Sequence, residues 1–111
     1  MNWSSKEKYA LLKSICFLIG ANKRDLQNKQ MEVFYFIRKL DLDDAAMLEQ
    51  ANMDQNEMES IIRRMSNSNK EIVKTYWRET ITRDNLGDSI SDREIGTWIM
   101  MAENCGINIE D

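Results

Sequence analysis

The chain has 111 residues, a net charge of −4 and an isoelectric point near 4.9, which predicts one acidic domain and argues against electrostatic binding to nucleic acid. Its composition, 42% hydrophobic and 31% charged, is that of a soluble globular protein. The absence of His excludes His-based acid–base catalysis and His-ligated zinc, and the absence of Pro with only four Gly argues against a sheet with many tight turns.

Capping patterns and apolar spacing predict six helices along the chain. In chain order they cover residues 5–19, 28–40, 44–51, 55–65, 69–82 and 92–105. Capping boxes, each a Ser or Asp followed three residues later by Glu, mark the starts of four of them: Ser4–Glu7, Asp54–Glu57, Ser68–Glu71 and Ser91–Glu94. Gly106 is predicted to cap the last helix. Since no segment alternates with period two, the predicted fold class is all-α, a compact single-domain bundle over residues 1–111.

The predicted core depends on which helix faces are apolar. The second helix carries apolar residues around most of its circumference, Met31 and Phe34 among them, and is predicted to be the most buried element. Trp77 and Trp98 are predicted to pack in one core. Most of the eight Met are expected to fill gaps in that core, although Met-rich faces also form adaptable binding grooves.

A weak internal repeat relates two helical hairpins, residues 8–41 and 69–107, which are joined by a connector of residues 42–68. An offset of 64 residues places Leu26 on Ile90, and each is expected to be tucked in just before the second helix of its hairpin. Two such hairpins would pair about a pseudo-twofold axis. The alternative explanation is chance similarity between two amphipathic helices.

The loop before the last helix resembles a known family. The segment ITRDNLGDSISDRE, residues 81–94, is similar to the TerB-like helical domain of tellurite-resistance proteins. Ile90, Ser91 and Glu94 match the end of the family pattern, and Asp84 and Asp88 lie where its acidic loop would be. The resemblance implies a non-enzymatic part of a larger, often membrane-associated assembly connected with tellurite resistance or stress. It also suggests an acidic face that holds a divalent cation.

Asp84, Asp88 and Glu94 are therefore the candidate metal ligands, with calcium as the representative cation. They do not form an EF-hand loop, because with Glu94 at position 12 an oxygen-ligand position falls on Arg83 and another on Gly87. A cation site that binds more weakly than an EF-hand and uses these three side chains is the remaining metal-binding interpretation. The alternative is that Glu94 completes a capping box and that the two Asp residues lie in a solvated turn.

Nothing in the sequence assembles a catalytic site. Cys16 and Cys105 fall on apolar helix faces and are interpreted as buried thiols of a reduced protein. Paired acids such as Asp43 and Asp44 are explained by the positive end of a helix dipole. The apolar run over residues 9–21 is interrupted by charge and is interpreted as a core helix rather than a signal peptide.

Charge is divided unevenly along the chain. Residues 1–40 hold 8 basic and 3 acidic side chains, a net charge of +5, whereas residues 41–111 hold 7 and 16, a net charge of −9. This division predicts a two-faced surface that attracts a charged partner, and two ordinary solvated faces are the alternative.

The sequence thus predicts a non-enzymatic cytoplasmic interaction or scaffold module of a stress or tellurite-resistance-type system. An unidentified protein is the expected partner. Neither nucleic-acid binding nor a membrane span is expected, but the family resemblance is compatible with association with a membrane-bound complex. The alternative function is weak divalent-cation binding through the acidic loop, residues 84–94.

Overall fold

Six α-helices make up the part of the chain that the structure, a computed structural model, describes: residues 1–86 and 89–110. They are α1 (Ser5–Ala21), α2 (Leu26–Lys39), α3 (Ala45–Asn52), α4 (Gln55–Arg63), α5 (Asn67–Asp84) and α6 (Asp92–Cys105). No strand occurs among these residues, so the all-α prediction is confirmed. Within the same residues no helix is both long enough and apolar enough to span a bilayer.

Local capping sets most helix starts. The Ser4 hydroxyl accepts a hydrogen bond from the Glu7 amide at 3.1 Å, and the Glu7 carboxyl accepts one from the Ser4 amide at 2.9 Å, which confirms the first capping box. Two predicted starts were wrong. α5 begins two residues early because Ser66, rather than Ser68, caps it, and α2 begins at Leu26 because Asp25 caps it.

α1 lies at the centre of the bundle and packs against all five other helices. Its fully buried Leu11, Leu12 and Ile15 belong to a single core that also contains Trp77, and Trp98 packs against the edge of that core. The two Trp residues therefore share one core, as predicted. Inside it, the Trp77 indole N–H donates to the Ser14 hydroxyl at 2.8 Å. This bond satisfies the polar atom of the largest buried side chain.

α2 is not the most buried element, which corrects the prediction. Only Val33, Phe36 and Ile37 of this helix are buried, whereas Met31 is 61% exposed and Phe34 is 43% exposed. A domain of this size has one core, and α1 already occupies its centre. α2 covers one side of α1 and leaves its own outer face without a neighbouring helix.

The exposure of α2 also bears on the internal repeat. Leu26 is the first residue of α2 and is 70% exposed, so it is not tucked into the core as expected, whereas Ile90 is half-buried. The prediction that these two positions are equally buried was therefore wrong. The repeat itself stays a prediction.

Side-chain pairs join α2 to α5. The Tyr35 hydroxyl donates to Glu79 at 2.6 Å, Lys39 also binds Glu79, and Arg83 forms a bidentate pair with Glu32 at 2.7 and 3.1 Å. The Arg83 guanidinium also lies 3.6 Å from the centre of the Tyr35 ring. Burial alone would raise the pKa of Glu79, but the hydrogen bonds from Lys39 and Tyr35 lower it below the usual value. The pairs thus connect α2 to the bundle on the side away from its exposed apolar face.

Candidate functional sites

Two interhelix loops meet at one end of the bundle, at a place that we call the loop junction: Asn22, Arg24, Asp84, Asn85, Ser91 and Glu94. Arg24 donates from Nε to the Asp84 carbonyl at 3.0 Å and from Nη2 to the Arg83 carbonyl at 2.9 Å. The guanidinium therefore satisfies two carbonyl groups at the C-terminal end of α5 and lies at the negative end of that helix dipole. The Ser91 hydroxyl donates to the Ala21 carbonyl at 3.4 Å. The end of α1 and the loop after it are thus bound to the C-terminal end of α5 and to the N-cap residue of α6.

Asp84 and Glu94, two of the three predicted metal ligands, are brought together and buried in the loop junction. Asp84 is 6% exposed and Glu94 is 0% exposed. The Ser91 hydroxyl accepts from the Glu94 amide at 3.2 Å, as the capping pattern predicts. The Glu94 side chain, however, accepts from the Asn85 amide at 2.7 Å rather than from the backbone of Ser91. The interpretation of Glu94 as a capping-box acid and of Asp84 as a solvated turn residue was therefore wrong.

The acid pair carries buried polar atoms with no hydrogen-bond partner among the described residues. In the acid pair, these atoms are both carboxyl oxygens of Asp84 and Oε2 of Glu94. The side-chain nitrogen of the neighbouring Asn22 is also buried without such a partner. Two ionised carboxyl groups that face each other can only accept hydrogen bonds, so neither can satisfy the other. Either a proton or a cation between them would remove this cost.

The environment of Asp84 favours the proton at neutral pH. Burial, and after it the neighbouring Glu94, raise the pKa of Asp84 to about 8, although the adjacent Asn22 amide favours the ionised form. A protonated Asp84 donates where an ionised one cannot, and Glu94 is the nearby acceptor. A divalent cation would have to displace this proton, so its affinity would rise with pH.

The predicted metal site is thus only partly described. Asp88, the third predicted ligand, lies outside the described residues. Among residues 1–86 and 89–110 no group of three acidic or Cys side chains is arranged to hold a metal ion. Asp84 and Glu94 supply carboxyl oxygens, the donor type that calcium and magnesium prefer, but two side chains are fewer than a complete calcium shell requires.

An apolar groove of about 520 Å³ lies between α1, α2 and α3, and we call it the α2 groove. Its apolar lining includes Ile19, Leu26, Val33, Phe34 and Met47. Leu26, Phe34 and Met47 are 70%, 43% and 36% exposed. Sequence reasoning missed this groove because it assigned the whole apolar circumference of α2 to the core. The available signal was that no helix at the edge of a small bundle can bury every side.

One basic side chain lies at the end of the α2 groove. Lys29 lines the groove, and its ammonium group donates to the Gly20 carbonyl at 2.8 Å. The exposed Arg38 follows Phe34 by one helical turn on the same face of α2. The exposed apolar face of α2 is therefore flanked by positive charge, in agreement with the net charge of +5 over residues 1–40.

A second apolar surface lies on α6, and we call it the α6 ridge: Ile99 and Met100 with the acids Asp92 and Glu103. Ile99 and Met100 are 45% and 44% exposed, and both acids are exposed. Ile99 and Glu103 of the ridge also line a cavity of about 410 Å³ between α6 and the C-terminal residues, including Ile109. The exposed Arg93 precedes Met100 by two helical turns, so the α6 ridge carries two acids and one base, whereas the α2 groove is flanked by basic side chains.

Neither Cys residue has the environment of a nucleophile. Both thiols are free, Cys16 beside the α2 groove and Cys105 in the core. Burial raises the pKa of each thiol to about 12. Because the thiolate is the reactive form, both side chains are unreactive at neutral pH. Both Cys residues are unpaired thiols, as predicted. Cys105 is buried, and Cys16 is half-buried.

No protein-family model, curated protein or solved structure matches the chain. The resemblance to the TerB-like domain therefore depends on the residues quoted from the segment 81–94 and stays a prediction. The all-helical architecture, in contrast, follows directly from the structure.

Proposed function

We propose that this chain is a non-enzymatic protein-interaction module that binds its partner through the α2 groove. The observation that carries the proposal is the set of large apolar side chains that line this groove and stay exposed, with Leu26 at 70%, Phe34 at 43% and Met47 at 36%. Single exposed apolar residues are common, but contiguous apolar surface with a charged rim is typical of interaction sites.

The arrangement of these residues suits a protein partner. Leu26 and Phe34 are about two helical turns apart on α2, and both line the groove. Met47 of α3 forms the opposite wall. Met side chains adapt to different partner shapes because they are unbranched and flexible. The groove therefore fits a helix or an apolar loop of another protein.

The resemblance in the segment 81–94 connects this module with stress or tellurite-resistance-type systems, and we include that association, with a cytoplasmic location, in the proposal. It agrees with the architecture, which is a small helical bundle with two exposed apolar surfaces. Burial raises the pKa of both Cys thiols to about 12, so neither supplies the activated nucleophile that a cysteine-based catalytic proposal would need.

The test is a capture experiment with matched variants. Wild-type protein, Phe34→Asp and Thr75→Asp are immobilised and exposed to extract of the source cells. Thr75 is exposed on α5, which contributes no residue to the groove lining, so its substitution adds the same charge outside the α2 groove. We expect a partner that is recovered with wild type and Thr75→Asp but lost with Phe34→Asp. Identical sets of recovered proteins for all three baits would refute the proposal.

A second candidate function, weak divalent-cation binding at the loop junction, is favoured by a separate observation. Both oxygens of Asp84 and one of Glu94 are buried without a hydrogen-bond partner among the described residues. Such atoms are ready to accept a cation once the Asp84 proton leaves. Asp88 would be the third ligand, since it lies four residues from Asp84 in the chain.

Thermal unfolding of chelator-treated protein tests this function. Calcium, magnesium or manganese at about a hundred times the dissociation constant would add roughly 2.7 kcal/mol, a shift of several degrees for a domain of this size. The shift should grow from about pH 6 to about pH 8, because the cation displaces a proton. Asp84→Asn and Asp88→Asn should each reduce it. Equal unfolding temperatures with and without every cation would refute the second candidate.

A further inference from the structure

The two exposed apolar surfaces of this chain have opposite charges on their rims. On the α2 groove, Phe34 is followed one turn later by the exposed cation Arg38. On the α6 ridge, Ile99 is followed one turn later by the exposed acid Glu103. Each surface therefore presents an exposed apolar residue that is followed four positions later by a charged one. This charge is positive on the α2 groove and negative on the α6 ridge.

The two surfaces differ in shape. The α2 groove is a concave surface of about 520 Å³ between three helices. On the α6 ridge, Met100 is 44% exposed, and Ile99 is 45% exposed at the border of the cavity between α6 and the C-terminal residues. A helix face that enters an apolar groove is one of the common modes of protein recognition. Aligning Phe34 with Ile99 in parallel helices would bring Arg38 opposite Glu103.

The chain as a whole has the same complementarity. α2 and α1, which carry all of the groove lining except Met47, belong to the segment 1–40, with its net charge of +5, and the α6 ridge belongs to the segment 41–111, with its net charge of −9. Attraction between unlike segments of two copies therefore offsets part of the repulsion that a net charge of −4 on each copy produces.

We propose that the occupant of the α2 groove is the α6 ridge of a second copy of this chain. The inference builds on the proposed function, because it names the partner of the same groove. Since the groove and the ridge are different surfaces, the contact is head-to-tail. Each added copy brings one groove and one ridge, so assembly continues as a chain or ends as a closed ring.

Complementary variants provide a sharp test, with mass measured by sedimentation over a range of concentrations. Wild type should rise above 13.1 kDa as concentration increases, and the rise should weaken in high salt. Phe34→Asp blocks the groove but leaves the ridge, and Ile99→Asp blocks the ridge but leaves the groove. Each variant alone should stay at 13.1 kDa, whereas their equimolar mixture should form a complex of twice that mass and nothing larger.

The outcomes separate this inference from the proposed function. A wild type that stays monomeric at every concentration overturns self-association, and so does a mixture of the two variants that stays monomeric. A groove-dependent partner captured by a monomeric wild type would overturn this inference while supporting the proposed function. Circular dichroism verifies that the variants fold. If either does not, Leu26→Asp and Met100→Asp replace them, since these side chains are 70% and 44% exposed.

Discussion

Replacing Asp84 by Asn tests the interpretation of the loop junction as a buried acid pair that shares a proton. The substitution keeps the shape of the side chain and makes it neutral at every pH. An Asn amide has a donor for the unpartnered oxygen of Glu94 and an acceptor for the unpartnered nitrogen of Asn22, and a protonated Asp84 carboxyl offers the same two groups. The variant therefore imitates the protonated native form without the need to bind a proton.

The expected gain in stability follows from the pKa of Asp84, which is about 8 in the folded protein against 3.8 when it is unperturbed. Between these values the folded state holds a proton that the unfolded state releases. The free energy of unfolding of the wild type therefore falls as pH rises from about 4 to about 8. Roughly three pH units separate 3.8 from neutrality, and at about 1.4 kcal/mol per unit the upper limit at neutral pH is about 4 kcal/mol.

Urea unfolding followed by tryptophan fluorescence, to which the buried Trp77 contributes, measures the difference. We expect Asp84→Asn to exceed the wild type by about 2–4 kcal/mol near pH 7 and by less than about 1 kcal/mol near pH 4. The control is Asp25→Asn, because Asn caps α2 as well as Asp does and should leave stability nearly unchanged. A difference that is the same at both pH values, or a variant less stable than the wild type at neutral pH, would refute the shared proton.

Three further changes test other parts of the structure. Ser14→Ala removes the acceptor of the buried Trp77 indole and should lower the free energy of unfolding by about 1–3 kcal/mol in urea, and a loss below about 0.5 kcal/mol would contradict the role of that bond. Gly106→Ala should cost about 1 kcal/mol in thermal unfolding because Gly106 has φ of 68°, whereas Gly20→Ala, at a helical position with open space around it, should be neutral or stabilising. Glu79→Gln should cost about 1 kcal/mol at neutral pH. Because the pKa of Glu79 is lowered in the folded state, its contribution is present above 4.5 and is lost as the pH falls through the folded pKa, so the two proteins should converge in acid.

Every helix was predicted to within two residues at each end, because caps and apolar spacing act over three or four residues. α6 has the predicted bounds, and the Ser4 box forms as expected. The exceptions have local causes. The start of α2 was missed because Asp25 caps the amide of Asn28 without a Glu at that position, and α5 offered two Ser residues, of which the earlier one caps.

The candidate site was predictable in identity but not in environment. Asp84 and Glu94 were named from a motif within one loop, yet their burial depends on Asn22 and Arg24, about 60 residues earlier in the chain. No pattern of spacing shows that two loops will exclude water from a carboxyl pair. The same holds for the α2 groove, since the sequence shows that α2 is apolar but not which of its sides a neighbour covers.

The sequence by itself thus determined an all-helical chain, its caps and the charge difference between its two segments, because these depend on neighbouring residues and on composition. Only the tertiary structure decided that α1 occupies the centre, that α2 keeps an exposed apolar face, and that Asp84 and Glu94 are buried side by side. The physical reason is that burial is shared among all helices of one small core. Whether a given side chain is covered therefore depends on the packing of residues distant in the chain.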